Sequence, residues 1–262
     1  MFINNTEYLD QHFLIDKRVI NKFIDECNIS INDDIVEIGP GKCILSEIIA
    51  RKCKSLILIE KDNRLEHYIN VLMDKYKNVS VIWNSVLNVY IPSCDKIVSS
   101  LPYSITEPFI EKLLRCDFRE CLLITGNRFA LSIYNKEITK LSLLVNSFFN
   151  IEYIESIDKS SFSPEPRVTS AMIKLTHKNR NELLTDKKMF MFREMFFNRK
   201  RKLKNNLIES LIEYYKLNDK VLTKKESKKI VNTFNISDNI LDKEMEQLSN
   251  LEYNIIYESI NF

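Results

Sequence analysis

Apolar positions recur along the chain with two different periods. Residues 19, 20, 23, 24 and 27 are Val, Ile, Phe, Ile and Cys, the spacing of a helix with one buried face, and predict a helix over 19–27. Short apolar runs follow: Asp34 to Ile38, Ser55 to Ile59 ending at Glu60, Val79 to Trp83, Lys96 to Ser99 and Glu120 to Thr125. They alternate with helical patterns over 43–51, 63–76, 107–115 and 138–148, which predicts a mostly parallel α/β sheet. Two more extended runs, 151–157 and 168–175, flank Phe162-Ser-Pro-Glu-Pro-Arg167. Prolines there exclude helix and predict a rigid loop, so the two runs read as a hairpin edge of the sheet. The opening stretch Tyr8 to Asp16 reads as a lid or lead-in to the first helix.

Beyond residue 176 the pattern changes. Residues 177–186 are polar and charged and read as a linker, followed by helical patterns over 187–203, 206–215, 224–234 and 242–257. The predicted organisation is an α/β domain over 1–178 and a small helical domain over 179–262. A length of 262 residues with 45% hydrophobic side chains supports proper cores. No apolar run approaches a membrane span, and the first ten residues carry two acids and no base, so a soluble, cytoplasmic protein is expected. Six cysteines without a C-x-x-C pair and three dispersed histidines argue against disulfides and against a metal site.

Chemistry concentrates at a few points. Only three glycines occur, and two of them, Gly39 and Gly41, follow the run ending in Glu37-Ile38. A strand, a Gly-x-Gly turn and a helix allow backbone N–H groups to approach a nucleotide-like ligand, although such a turn also simply connects strand to helix. Glu60 lies at the tip of the next strand, about twenty residues on, where such folds bind a ribose. Ser100-Leu-Pro-Tyr103 ends the fourth strand, at the sheet edge where ligands bind. Net charge is only +2, yet residues 187–204 hold eight Lys/Arg against the single acid Glu194, about +7, which leaves about −5 for the rest. Interleaved with Phe190, Phe192, Phe196 and Phe197, this run suggests contact with a phosphate backbone.

Six motifs carry a family resemblance: Gln11-His-Phe-Leu14, Val36-Glu-Ile-Gly-Pro-Gly-Lys42, Ile59-Glu60, Leu101-Pro-Tyr103, Phe162-x-Pro-x-Pro-x-Val168-x-Ser-Ala171 and Arg199-Lys-Arg-Lys-x-Lys-x-Asn206. In this order they resemble the ribosomal RNA adenine dimethyltransferases, over nearly the whole chain and most closely the archaeal small-subunit branch; the erythromycin-resistance enzymes are relatives. The resemblance implies a Rossmann-like S-adenosylmethionine-dependent methyltransferase domain followed by a helical RNA-binding domain. It implies S-adenosylmethionine as cofactor, no metal, and small-subunit ribosomal RNA as partner of a monomer.

By the family's pattern, Gln11, His12 and Leu14 lie against the cofactor, Gly39 and Gly41 give backbone approach, and Glu60 takes the ribose hydroxyls. Ser85 stands where the family carries the acid for the cofactor's adenine, and Ser100 where it carries Asn. Ser100 and Tyr103 form the implied catalytic pair, with Tyr103 stacking on the flipped base and Phe162 covering its other face. Arg199, Lys200, Arg201, Lys202 and Lys204 are the expected RNA contacts. Two functions remain open at this point: N6-methylation of small-subunit ribosomal adenines, or a ribosome-assembly factor that binds RNA with little or no methylation.

Overall fold

The computed structural model describes residues 11–261; the first part of the predicted lead-in, Tyr8 to Asp10, lies outside them. Strands β1 (Phe13–Leu14), β2 (Asp34–Ile38), β3 (Ser55–Glu60), β4 (Val79–Trp83), β5 (Cys94–Ser100), β6 (Phe118–Gly126), β7 (Phe149–Ile157), β8 (Phe162–Ser163) and β9 (Ser170–His177) alternate with helices. In the sheet-forming part the helices are α1 (Lys17–Cys27), α2 (Ile44–Ala50), α3 (Glu66–Lys75), α4 (Thr106–Leu113) and α5 (Asn127–Tyr134). The run predicted at 19–27 is α1: Asp16 caps it by accepting from Arg18 N–H, and Val19, Ile20, Phe23, Ile24 and Cys27 are its buried face.

Seven strands form one sheet in the order β4-β3-β2-β5-β6-β9-β7. From β4 to β6 they run parallel, and β9 is antiparallel to β6. The chain therefore winds outward from β2 to β4, then returns to place β5 on the other side of β2. Between β2 and β5 lies the switch in winding, and there the two following connections diverge and leave a crevice at the strands' carboxyl ends. Ser99 fastens this junction, its buried hydroxyl donating to the Ile38 carbonyl at 2.8 Å. The short strands β1 and β8 pair separately, Leu14 opposite Phe162.

The chain divides into two compact units. One runs to Leu131 and resumes over Ile151–Thr176; the other comprises Ser132–Asn150 and everything from His177. The segment 132–150, which contains α6 (Lys140–Phe148), thus groups with the C-terminal helices, and the later division falls at 176/177.

The C-terminal unit also contains α7 (Arg180–Thr185), α8 (Lys187–Phe197), α9 (Leu203–Leu217), α10 (Lys224–Asn232), α11 (Asp238–Leu241) and α12 (Asn250–Ser259). Its core is aromatic: Phe190 packs edge-on against Tyr214, and the fully buried Tyr253 lies beside Phe192 and Phe196. Three sequence expectations change here. The polar stretch read as a linker holds α7, started by a reciprocal capping box between Asn179 and Glu182. Helix α5 was not anticipated at all. The single helix expected over 187–203 is broken, because the buried Asn206 amide donates to the carbonyls of Asn198 and Arg201 at 3.0 and 3.4 Å and holds 198–202 as a turn.

Candidate active site

The crevice at the β2/β5 junction is an open cleft of about 1120 Å³, and all ten residues expected to serve cofactor or catalysis line it: Gln11, His12, Leu14, Gly39, Gly41, Glu60, Ser85, Ser100, Tyr103 and Phe162. The floor is the turn after β2. Gly39 and Gly41 have φ of +64° and +56°, the left-handed region that costs an L side chain roughly 1–2 kcal/mol. A Cβ at Gly41 would also sit 3.0 Å from Phe13 Cδ1, a tight contact that the ring would have to relieve by shifting. Cys43, third in the turn, takes φ 61° without being glycine. Burial pushes its thiol up to about 12, so it is neutral.

Beneath the turn lies a residue to which sequence reasoning gave no role. Glu37 is 2% exposed, lines the cleft, and its Oε2 has no hydrogen-bond partner among the described residues. Burial pushes its carboxyl up to about 7; the neighbouring Ser46 hydroxyl works against the rise and the Glu60 charge adds to it. The signal was present in the sequence as an acid inside an otherwise apolar strand buried on both faces. Glu60, at the tip of β3, accepts the N–H groups of Lys61 and Asp62 through Oε1, both at 2.8 Å, and burial raises its pKa as well.

The lead-in forms the upper wall and is held at both ends. Gln11 Nε2 donates to Asp62 at 2.9 Å, and Asp62 also receives Arg64, which holds its carboxyl at about 2. On the other side, Ile15 N–H donates to the Ser161 carbonyl at 2.9 Å and His12 Nδ1 lies 2.8 Å from the Pro164 carbonyl. Between these anchors Phe13 presses on Gly41, with the Lys42 ammonium 4.8 Å from its ring centre. Asp62 lies outside every motif, and Phe13, although inside the Gln11–Leu14 motif, had no role assigned; both act through contacts across about fifty and thirty residues of chain.

At the far wall, Ser100 ends β5 and Leu101 N–H donates to the Ile124 carbonyl at 2.8 Å, which carries the parallel ladder one residue further. The Pro102 carbonyl accepts Ile105 N–H at 3.2 Å. Tyr103 is half-buried, its hydroxyl 2.5 Å from Ser170 Oγ and its ring 6.1 Å from the His12 ring at 22°. Phe162 is 3% exposed and packed with Leu14 in the core, and lines the wall of the cleft. Ser85 Oγ accepts Leu87 N–H at 3.3 Å, so part of its acceptor capacity is already engaged.

The five basic residues expected to meet RNA lie in the C-terminal unit, on and beside the 198–202 turn. Arg199 pairs with Glu246 and Lys202 with Asp242, each at 2.9 Å. Lys204 sits half-buried in the first turn of α9, with Asp242 in electrostatic reach. Lys200 and Arg201 are exposed and make no ion pair among the described residues. Among the described residues there is no cluster of three or more His, Cys, Asp or Glu suited to a metal, and no helix long and apolar enough to cross a membrane.

A sheet wound both ways from β2, with a left-handed glycine turn above a buried acid and a second acid at the next strand tip, is the cofactor half of an S-adenosylmethionine-dependent methyltransferase. The model of the ribosomal RNA adenine dimethylase family matches residues 2–246, and the chain belongs to that family. It is 35% identical over 259 residues, 95% of this chain and 93% of the other, to a probable ribosomal RNA small subunit methyltransferase A of Methanococcus aeolicus. A protein of the same description from Pyrococcus abyssi is 34% identical over 182 residues, 67% of this chain and 66% of the other. Among solved structures, a dimethyladenosine transferase from Plasmodium falciparum superposes with a TM-score of 0.64 at 22% identity, covering 94% of this chain and 96% of that one. The 23S rRNA methyltransferase ErmE gives 0.60 at 18% identity, covering 94% and 98%; both share the fold.

Proposed function

We propose that the protein methylates the N6 amino groups of adenines in small-subunit ribosomal RNA, in the cytoplasm and as a monomer, and that the cleft residues divide the work as follows. The observation that carries this reading is that Ser100-Leu-Pro-Tyr103 and the Gly39–Gly41 turn open onto the same switch-point cleft. The residues fit S-adenosylmethionine: a buried acid with a vacant oxygen lines the cleft where a cationic group is needed, and Gly39 and Gly41 put no Cβ into its floor. When bound, S-adenosylmethionine supplies an electrophilic methyl group whose departure leaves a neutral thioether, so no metal is needed.

Glu37 faces the ammonium of the methionine end, and Glu60, whose Oε1 is fixed by two backbone N–H groups, takes the ribose hydroxyls. Gln11, His12 and Leu14 close the wall, and Ser85 presents its hydroxyl to the adenine amino group of the cofactor. On the acceptor side the target base must leave its stack to reach the cleft. Its amino nitrogen is a poor nucleophile because the lone pair is delocalised into the ring. Ser100 Oγ and the Leu101 carbonyl accept its two hydrogens and favour the pyramidal form; the Pro102 carbonyl is already engaged by Ile105. Tyr103 stacks on the base, its ring fixed by the hydrogen bond to Ser170, a contact worth about 1–3 kcal/mol. Lys200 and Arg201 lead the contacts to the RNA backbone, with Arg199, Lys202 and Lys204 beside them.

The test is a calorimetric titration with S-adenosylmethionine and methyl incorporation into immature small subunits. Incorporation that falls at least a hundredfold in Tyr103→Ala, with cofactor affinity kept, supports the reading. Tight RNA binding without cofactor uptake sinks it and leaves an assembly factor.

A further inference from the structure

Helix α10 carries four lysines in six residues, Lys224, Lys225, Lys228 and Lys229, outside every motif that pointed to function. Its packing is complete without them. Ser227 and Val231 are its buried residues, and the Ser227 hydroxyl donates to the Ile208 carbonyl of α9 at 2.9 Å. With 100° per residue, a buried stripe at 227 and 231 turns Lys225 and Lys229 to the opposite side and Lys228 to the flank. All three are exposed and none makes an ion pair among the described residues. Lys224 alone is paired, with Glu209 at 3.2 Å.

The acid within the helix does little to neutralise this face. Glu226 is turned back to the helix start, where its carboxylate accepts both the N–H and the hydroxyl of Thr223, at 2.9 and 2.6 Å, although Lys229 remains in its electrostatic reach. Lysines three and four residues apart repel one another, so the face opposes helix stability unless a polyanion lies against it. Three unpaired ammonium groups on one rigid helix, spaced about 5–6 Å apart at Cβ, match a run of backbone phosphates.

We infer that the outward face of α10, Lys225, Lys228 and Lys229, is a second phosphate-contacting surface for RNA, additional to the 198–204 turn. This rests on the reading above that the substrate is RNA. Lysines here act as point charges, without base preference, so they add affinity and salt dependence and do not select the target adenine.

The test compares the full chain with its Lys225→Gln/Lys228→Gln/Lys229→Gln variant and with a Lys52→Gln/Lys77→Gln charge control on the other unit. Each is titrated with a structured RNA hairpin at several salt concentrations. The triple variant is expected to keep its thermal unfolding midpoint and lower the slope of log K against log salt by about 2–3, with the control nearly unchanged. The single Lys225→Gln variant, expected to take about one third of that effect, serves if the triple variant is unstable. A slope shared by wild type and triple variant, or an equal loss in the control, overturns the inference while S-adenosylmethionine binding and methylation still support the function. Wild-type protein that binds no RNA overturns both.

Discussion

Replacing Glu37 by Gln separates stability from ligand binding at one buried atom. In the unfolded chain a Glu carboxyl has its ordinary value near 4.5; in the folded protein burial raises it to about 7. Between these values the folded state holds the proton and the unfolded state does not, so stability falls as pH rises through that window and stays lost above pH 7. At about 1.4 kcal/mol per pH unit, the rise corresponds to roughly 3 kcal/mol of cost at pH 8. Gln has the same shape without the charge, so Glu37→Gln is expected to raise the unfolding midpoint of the unliganded protein at pH 8 by several degrees, with little gain at pH 5.

The cofactor arm runs the other way. An ammonium beside Glu37 favours the ionised carboxyl, so S-adenosylmethionine binding to wild type releases a proton and weakens by up to about tenfold per pH unit below pH 7. In Glu37→Gln binding is weaker at pH 8 and this pH slope is gone. Differential scanning fluorimetry and calorimetry in matched buffers from pH 5.5 to 8 read both. A variant less stable than wild type at pH 8, or one that keeps the wild-type pH slope, would falsify the reasoning.

Three further outcomes are expected. Gly41→Ala meets a positive φ and the Phe13 ring at 3.0 Å, so it should weaken cofactor binding at least tenfold and destabilise by about 1–2 kcal/mol; Gly41→Ala/Phe13→Ala should recover part of the stability, and no recovery would show that the contact is irrelevant. Asn206→Ala removes the donor to the Arg201 carbonyl and leaves the Asn198 carbonyl with the Arg201 N–H alone, and should cost about 1–3 kcal/mol in urea unfolding; a change below about 0.5 kcal/mol would show that the turn is held by other means. Lys200→Gln/Arg201→Gln should lower the salt slope of RNA binding by about 1.5 without altering thermal unfolding, and an unchanged slope would make this turn a solvated surface.

Much of this protein is legible in its sequence, because its main signals are local. The helix at 19–27, the five parallel strands and their order along the chain follow from hydrophobic period, and short-range periodicity survives in any tertiary context. Among the cleft residues, Gly39, Gly41, Glu60 and the Ser100–Tyr103 tip were legible as strand ends marked by glycine, acid or proline, whereas Gln11, His12, Leu14, Ser85 and Phe162 followed only from the family resemblance. The missed elements have physical reasons. Helix α7 hides in a polar stretch because a capping box, not apolar periodicity, starts it. The break between α8 and α9 is fastened from outside the turn, by Asn206 on the Asn198 and Arg201 carbonyls and by Met245 N–H on the Arg199 carbonyl.

What the sequence by itself determined is therefore which residues stand at the carboxyl ends of the strands. Only the tertiary structure decided their physical state. Burial in the sheet interior turns Glu37 from an ordinary acid into one poised near neutral pH, packing against Leu14 sets Phe162 into the wall of the cleft, and Glu246 and Asp242 engage two of five basic side chains. Desolvation and pairing depend on neighbours brought from distant parts of the chain, and no local pattern records them.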